Sequence, residues 1–188
     1  LWAWRQGRVR LVRRVAREVL CLLPFEPEFY HRHGGAARFV GHPLVDDFAG
    51  SGLLEAARGA PGGRRLALLP GSRVMEVRQL LPNMILALGR LDPVEVDEVV
   101  LVEAPGVSGT VDAVLERVGS DPRLRRVSGA GRRAELRGSV AAWTASGTAT
   151  LECALLGVPM VVGYRLEPLS YAVARLLVRV PHVALVNL

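Results

Sequence analysis

Two short strings carry the residue types that could hold an anion. The first is LALLPGSR, residues 66–73, an apolar run ending in Pro-Gly-Ser just ahead of a helix-like segment. A strand that turns into a helix in this way brings backbone N–H groups to the strand's carboxyl end, where the helix dipole favours negative charge. Gly71 gives the turn its tightness, Ser72 is placed to cap the helix, and Arg73 has the reach and forked donors to meet a phosphate. An ordinary capped strand-to-helix turn would have the same string. The second is SGTATLECALLGVPMVV, residues 146–162. Ser146, Gly147 and Thr148 form a small, donor-rich turn at a second helix start, and Glu152 follows within the helix, where a carboxylate can accept hydrogen bonds from a ribose diol. Gly157 closes that helix. One such turn is weak grounds for a site, because a Glu near a helix start also simply complements the dipole. Two on one sheet point together to a nucleotide diphosphate, with Arg73 offsetting charge as a leaving group departs.

The elements that must position these turns are legible in the hydropathy pattern. From Arg64 onward, apolar runs alternate with amphipathic segments: LALLP, a helix over VMEVRQLLPNMILAL, EVVLV, VDAVLERVG, LRRVS, a charged turn, VAAWT, TATLECALLG, PMVVGY and LEPLSYAVARLLVRV. This β-then-α repetition predicts an α/β fold, a parallel sheet flanked by helices. Pro82 falls inside the first helical pattern and should kink or restart it. Residues 1–48 hold an Arg-studded helical segment, a strand VLCLL, a Pro-bounded aromatic segment and a strand RFV running into GHP; Gly-rich residues 49–63 read as a linker, and residues 64–188 as a second domain.

Other residues carry weaker chemistry. His31 and His33 form an H-x-H, but without a third ligand nearby a solvated turn is the better reading. His42 is read as facing a site, and Asp46 and Asp47 as helix-start residues. Arg5, Arg8, Arg10, Arg13, Arg14 and Arg17 oppose Val9, Val12, Ala16 and Val19 at near-helical spacing, a pattern that suits either a solvated face over a buried stripe or contact with anionic lipid. The same two readings apply to Leu169, Tyr171, Val173, Leu176 and Leu177 beside Arg165, Arg175 and Arg179.

Composition narrows the field. All 24 basic residues are Arg, giving a net charge of +6 and excluding lysine chemistry such as a Schiff base or a P-loop lysine. Aromatic residues make up only 5% and do not interleave with Arg, so no nucleic-acid partner is expected. Cys21 and Cys153 fit no disulfide framework or zinc pattern, and no metal or other cofactor is expected. No uncharged stretch reaches the roughly 18 residues of a membrane span. The opening LWAWRQGRVR and the closing ALVNL lack a start and a stop, and both ends are expected to be internal to a longer chain.

In combination and in this order, LPFEPEFY, GHP, LPGSR and SGTATLE resemble the lipid-A-disaccharide synthases, a likeness that runs along nearly the whole chain and is weakest from Leu91 to Leu136. The resemblance implies a GT-B architecture of two Rossmann-like domains, with the present chain supplying the end of the first and most of the second. It implies inverting, metal-free transfer of 2,3-diacylglucosamine from UDP-2,3-diacylglucosamine to 2,3-diacylglucosamine 1-phosphate (lipid X), at the cytoplasmic face of the inner membrane, to which the enzymes bind peripherally. Carried over by motif, Gly71, Ser72, Arg73, Ser146, Gly147 and Thr148 would face the UDP diphosphate, Glu152 the ribose, and Asn187 a polar position near the donor. The general base would come from the portion of the family's first domain that this chain lacks. A UDP-N-acetylglucosamine 2-epimerase or another GT-B enzyme with a similar UDP site is the alternative, although no acid/base cluster for epimerisation stands out.

Overall fold

The computed structural model describes residues 6–52 and 63–165. Contacts divide the chain into two compact units, one holding the described residues up to Ser51 and the other those from Gly52 to Arg165. Much of the predicted linker, the last amphipathic segment and Asn187 lie outside the described residues.

In the first unit a short 3-10 turn, Gln6–Arg8, leads into helix α1, Val9–Val15. Strand β1 (Val19–Cys21), helix α2 (Glu26–Arg32) and strand β2 (Ala37–Phe39) then form a parallel crossover, with Val19 beside Ala37 and Cys21 beside Phe39. The predicted helical stripe from Val9 to Val19 is shorter than its spacing suggested. The chain turns extended at Ala16, and Val19 belongs to β1. Val9, Cys21 and Tyr30 form the small core. Glu26 fixes the entry to α2 by accepting the Leu22 and Leu23 amides at 3.1 and 3.0 Å. Helix α3, Pro43–Ala49, closes the unit, with Pro43 at its first position, where the missing N–H costs nothing.

The second unit is a five-stranded, wholly parallel sheet. Its strands are β3 (Arg65–Leu69), β4 (Glu98–Val102), β5 (Leu124–Val127), β6 (Ala141–Ala145) and β7 (Met160–Gly163), in the spatial order β5-β4-β3-β6-β7. Helices α4 (Val74–Leu88), α5 (Ser108–Val118), α6 (Arg132–Arg137) and α7 (Thr148–Leu155) connect them. The central strands are apolar without alternation, Leu66 to Leu69 and Val99 to Val102 all being buried, as strands covered on both faces must be. Helix α4 lays Val77, Leu81, Met84, Ile85 and Leu88 onto this sheet, and Val111 and Val114 of α5 join the same core. Truncating one of these leucines to alanine would cost about 2–5 kcal/mol.

Two points in this unit differ from or narrow the expectation. Of the kink or restart expected at Pro82, the restart is absent, since α4 runs through it as one helix. The imino nitrogen forgoes one backbone hydrogen bond, but Leu81, Met84 and Ile85 on either side are anchored in the core and hold the helix together. The predicted charged turn between β5 and β6 is in fact a 3-10 turn, Gly129–Gly131, followed by α6, whose Leu136 is buried. One buried leucine in a run of Arg and Glu gives too little periodicity to announce a helix.

Strand order decides where a ligand can go. Strands β4 and β5 are laid down on one side of β3, and β6 and β7 on the other. The connections therefore diverge at the carboxyl ends of β3 and β6, opening a crevice there. The register sets Leu69 of β3 level with Thr144 of β6, so the two anion-suited turns leave the sheet side by side.

Candidate functional site at the carboxyl edge of the sheet

A cavity of about 220 Å³ occupies this crevice. Leu69, Val102 and Ala145 line it at the strand ends, with Ala104 just after β4. Gly71, Ser72, Arg73 and Glu76 come from the β3–α4 turn, Ser146, Gly147, Thr148 and Glu152 from the β6–α7 turn, and Arg132 from the start of α6. Seven of the residues singled out in the sequence thus meet in one cavity.

The two turns are not equivalent. In the first, Ser72 does not cap the helix as expected. The carboxylate of Glu76, in the first turn of α4, takes that role instead: its Oε2 accepts the Ser72 and Arg73 amides at 3.0 and 3.3 Å. Its Oε1 accepts from the Arg73 guanidinium at 2.5 Å. Glu76 stands three residues after Arg73 and four after Ser72, so it reaches back to the entry amides as the Glu of a capping box does, without a Ser or Thr at the matching position. Arg73 is otherwise in solvent, its side chain 77% exposed, and such an arginine can exchange a surface carboxylate for an incoming anion at little cost.

The second turn is built differently. Gly147 precedes α7 with φ +156° and, as a glycine, caps the helix with no side chain of its own. The Ser146 amide is used in the sheet, on the Gly163 carbonyl, and Thr150 spends both its amide and its hydroxyl on the Gly147 carbonyl. The N-cap glycine offers the first-turn amides of α7 no side-chain acceptor, and such amides at the start of a helix suit an anion.

Glu152, one turn further along α7, is 5% exposed. Its Oε1 accepts from Arg132 at 2.7 Å, and Arg133 Nε stands 3.9 Å away. Arg132, like Glu76, is a site residue that the sequence did not single out. The buried neighbour Cys153 has its thiol pushed up to about 12, first by desolvation and then by the charge of Glu152.

The remaining candidates are structural. The His31 ring lies 2.9 Å from the Ala37 carbonyl and the His33 ring 2.8 Å from that of Phe29, so each imidazole donates to backbone. Among the described residues no group of three His, Cys, Asp or Glu is placed to hold a metal. His42, read as facing a site, accepts the Leu44 amide at 3.1 Å and caps α3, within which Asp46 and Asp47 lie. Among the described residues no helix is long and apolar enough to cross a membrane.

Sheet order and the crevice together define a parallel α/β domain with a cavity at its switch point, lined by the turns after β3 and β6. The family model for lipid-A-disaccharide synthetase matches residues 1–188, and the chain belongs to that family. Curated relatives named lipid-A-disaccharide synthase include one from Anaeromyxobacter sp. (strain K), 46% identical over 195 residues, and one from Myxococcus xanthus (strain DK1622), 42% identical over 195 residues. Each alignment covers 100% of this chain and 50% of the relative, so the chain spans about half the length of these proteins. Among solved structures it is similar to Anabaena Alr3699/HepE in complex with UDP-glucose, with a TM-score of 0.48 and 16% identity, covering 85% of this chain and 49% of that one.

Proposed function

We propose that this chain is the donor-binding part of a lipid-A-disaccharide synthase with GT-B architecture. In this reading the cavity holds the UDP of UDP-2,3-diacylglucosamine. The hydroxyl of 2,3-diacylglucosamine 1-phosphate attacks the anomeric carbon with inversion, and the bond to the diphosphate breaks, releasing UDP. Family membership supports the reaction, and the acyl chains of both substrates support work at the cytoplasmic surface of the inner membrane. The general base that accepts the hydroxyl proton is assigned to the part of the longer protein that this chain does not include.

The observation that carries the reading is the level register of two turns at the switch point, one of them opening α7 through a glycine N-cap. Negative charge grows on the diphosphate as the glycosidic bond breaks. Donors already aimed at that position stabilise it without reorganising. The pole of α7 supplies these donors, Arg73 adds a cation from the opposite turn, and Glu152 accepts from the ribose hydroxyls. In the turn at Gly71–Arg73 the Ser72 and Arg73 amides are occupied by Glu76. The turn therefore contributes to the diphosphate chiefly through the arginine.

Calorimetric titration with UDP tests this. Arg73→Ala and Glu152→Ala should each weaken binding by about tenfold, or about 1.4 kcal/mol. Unchanged affinity in both variants would sink the assignment.

A further inference from the structure

We propose that Arg132 is a positioning residue, holding the Glu152 carboxylate in the orientation in which it receives the ribose 2′-hydroxyl of the nucleotide. This rests on the UDP reading given above and adds to it a residue and a specificity. Glu152 is almost wholly buried, while the Arg132 side chain is 32% exposed and lines the same cavity. A glutamate side chain has three rotatable bonds. In a cavity that admits a diphosphate, a carboxylate held by nothing else would swing away from the like charge. The hydrogen bond from Arg132 to Oε1 at 2.7 Å opposes that swing.

The geometry also leaves room for the sugar. Both arginine contacts of Glu152 end on Oε1, and among the described residues no hydrogen bond is made to Oε2. An ionised carboxylate has about four acceptor positions, so Oε2 and a second lone pair of Oε1 remain for a vicinal diol. Arg132 opens α6 and Glu152 lies one turn into α7, so the pair joins two different helices, 20 residues apart in sequence. A merely neutralising cation would serve a buried carboxylate from any direction. Here the 3-10 turn that precedes α6 sets the position of the Arg132 backbone, and the side chain lines the cavity.

The test is a ligand cycle on this chain, titrating UDP and 2′-deoxy-UDP into wild type and Arg132→Gln by calorimetry. Wild type should prefer UDP by about tenfold. In Arg132→Gln that preference should collapse to about twofold or less, through weaker UDP binding at nearly constant 2′-deoxy-UDP affinity. Equal weakening of both ligands would make Arg132 a phosphate contact or a purely structural cation and overturn the proposal, as would an unchanged preference. If the glutamine variant does not fold, Arg132→Lys gives the same readout, since it keeps the charge but loses the planar fork. A preference cut to about a third supports positioning, and a wild-type preference refutes it. Wild type that fails to bind UDP would overturn the underlying reading of the cavity. Wild type that binds UDP and 2′-deoxy-UDP equally would overturn only the assignment of Glu152 and Arg132 to the diol.

Discussion

The carboxylate of Glu76 fills the space that a side chain at Gly71 would need. A Cβ at position 71 would lie 2.5 Å from Glu76 Oε2 and 2.6 Å from its Cβ, on a backbone whose φ of +120° already favours glycine. Gly71→Ala should therefore dislodge Glu76 from the Ser72 and Arg73 amides and destabilise the unit by about 1–3 kcal/mol. The urea midpoint checks this, and a wild-type midpoint would show that the turn relaxes freely.

Charge and capping can be separated at Glu76 itself. Glu76→Ala removes the acceptor for two helix-entry amides and should cost about 1 kcal/mol. Glu76→Gln keeps an acceptor and should stay within about 0.5 kcal/mol of wild type. Because the glutamine variant also takes a negative charge out of the cavity, it should bind UDP a few-fold more tightly. Weaker binding to Glu76→Gln in a UDP titration would refute that electrostatic argument.

At the amino ends of the central strands, Arg65 and Arg125 each bridge Glu98 and Glu135, at 2.6 to 2.8 Å. The Arg65 hydrogen bond holds Glu98 below the usual carboxylate range, and the Arg125 hydrogen bond does the same for Glu135. Groups lowered in this way contribute stability that is fully present above the unfolded value of about 4.3 and lost as pH falls through their folded values. Urea midpoints should thus fall from about pH 5 downward, and Arg125→Met should make that fall shallower. Parallel pH profiles for variant and wild type would count against the network.

Both cysteines are buried and unpaired, and burial raises both thiols, that of Cys153 to about 12. Since the thiolate is the reactive form, iodoacetamide at pH 8 should leave the folded chain unlabelled and add two groups after denaturation. Mass spectrometry reads the difference, and rapid labelling of Cys153 in the folded chain would contradict its burial.

Most of the parallel sheet was legible because its strands are apolar on both faces and its helices strongly periodic. The bounds of α4, Val74–Leu88, coincide with the segment read from the pattern. Segments governed by few residues were not legible: α6 has one buried leucine among charges, and Val19 sits at spacing that suits either a helix or a strand. Seven of the eight site residues gather in the cavity because turn chemistry is local. Asn187 lies outside the described residues. Arg132 escaped because, in a chain whose 24 basic residues are all arginine, nothing local marks one of them as the partner of a carboxylate on another helix. Glu76 was missed because Ser72 stands four residues before it, one more than a capping box has, and Arg73 at the right distance is not a capping residue.

The order β5-β4-β3-β6-β7 has a consequence for how the protein comes into being. Strand β3 lies at the centre, and its neighbour β6 is separated from it by the whole stretch from Pro70 to Val140. During synthesis β3 can pair with β4 early, while its other edge stays bare until β6 emerges, a long-range pairing of the kind that slows folding and exposes chains to aggregation. The cavity has only one wall until that strand docks. A nucleotide held between the walls would act as a clasp on the last step of assembly, and would register completion of the sheet rather than the presence of either turn.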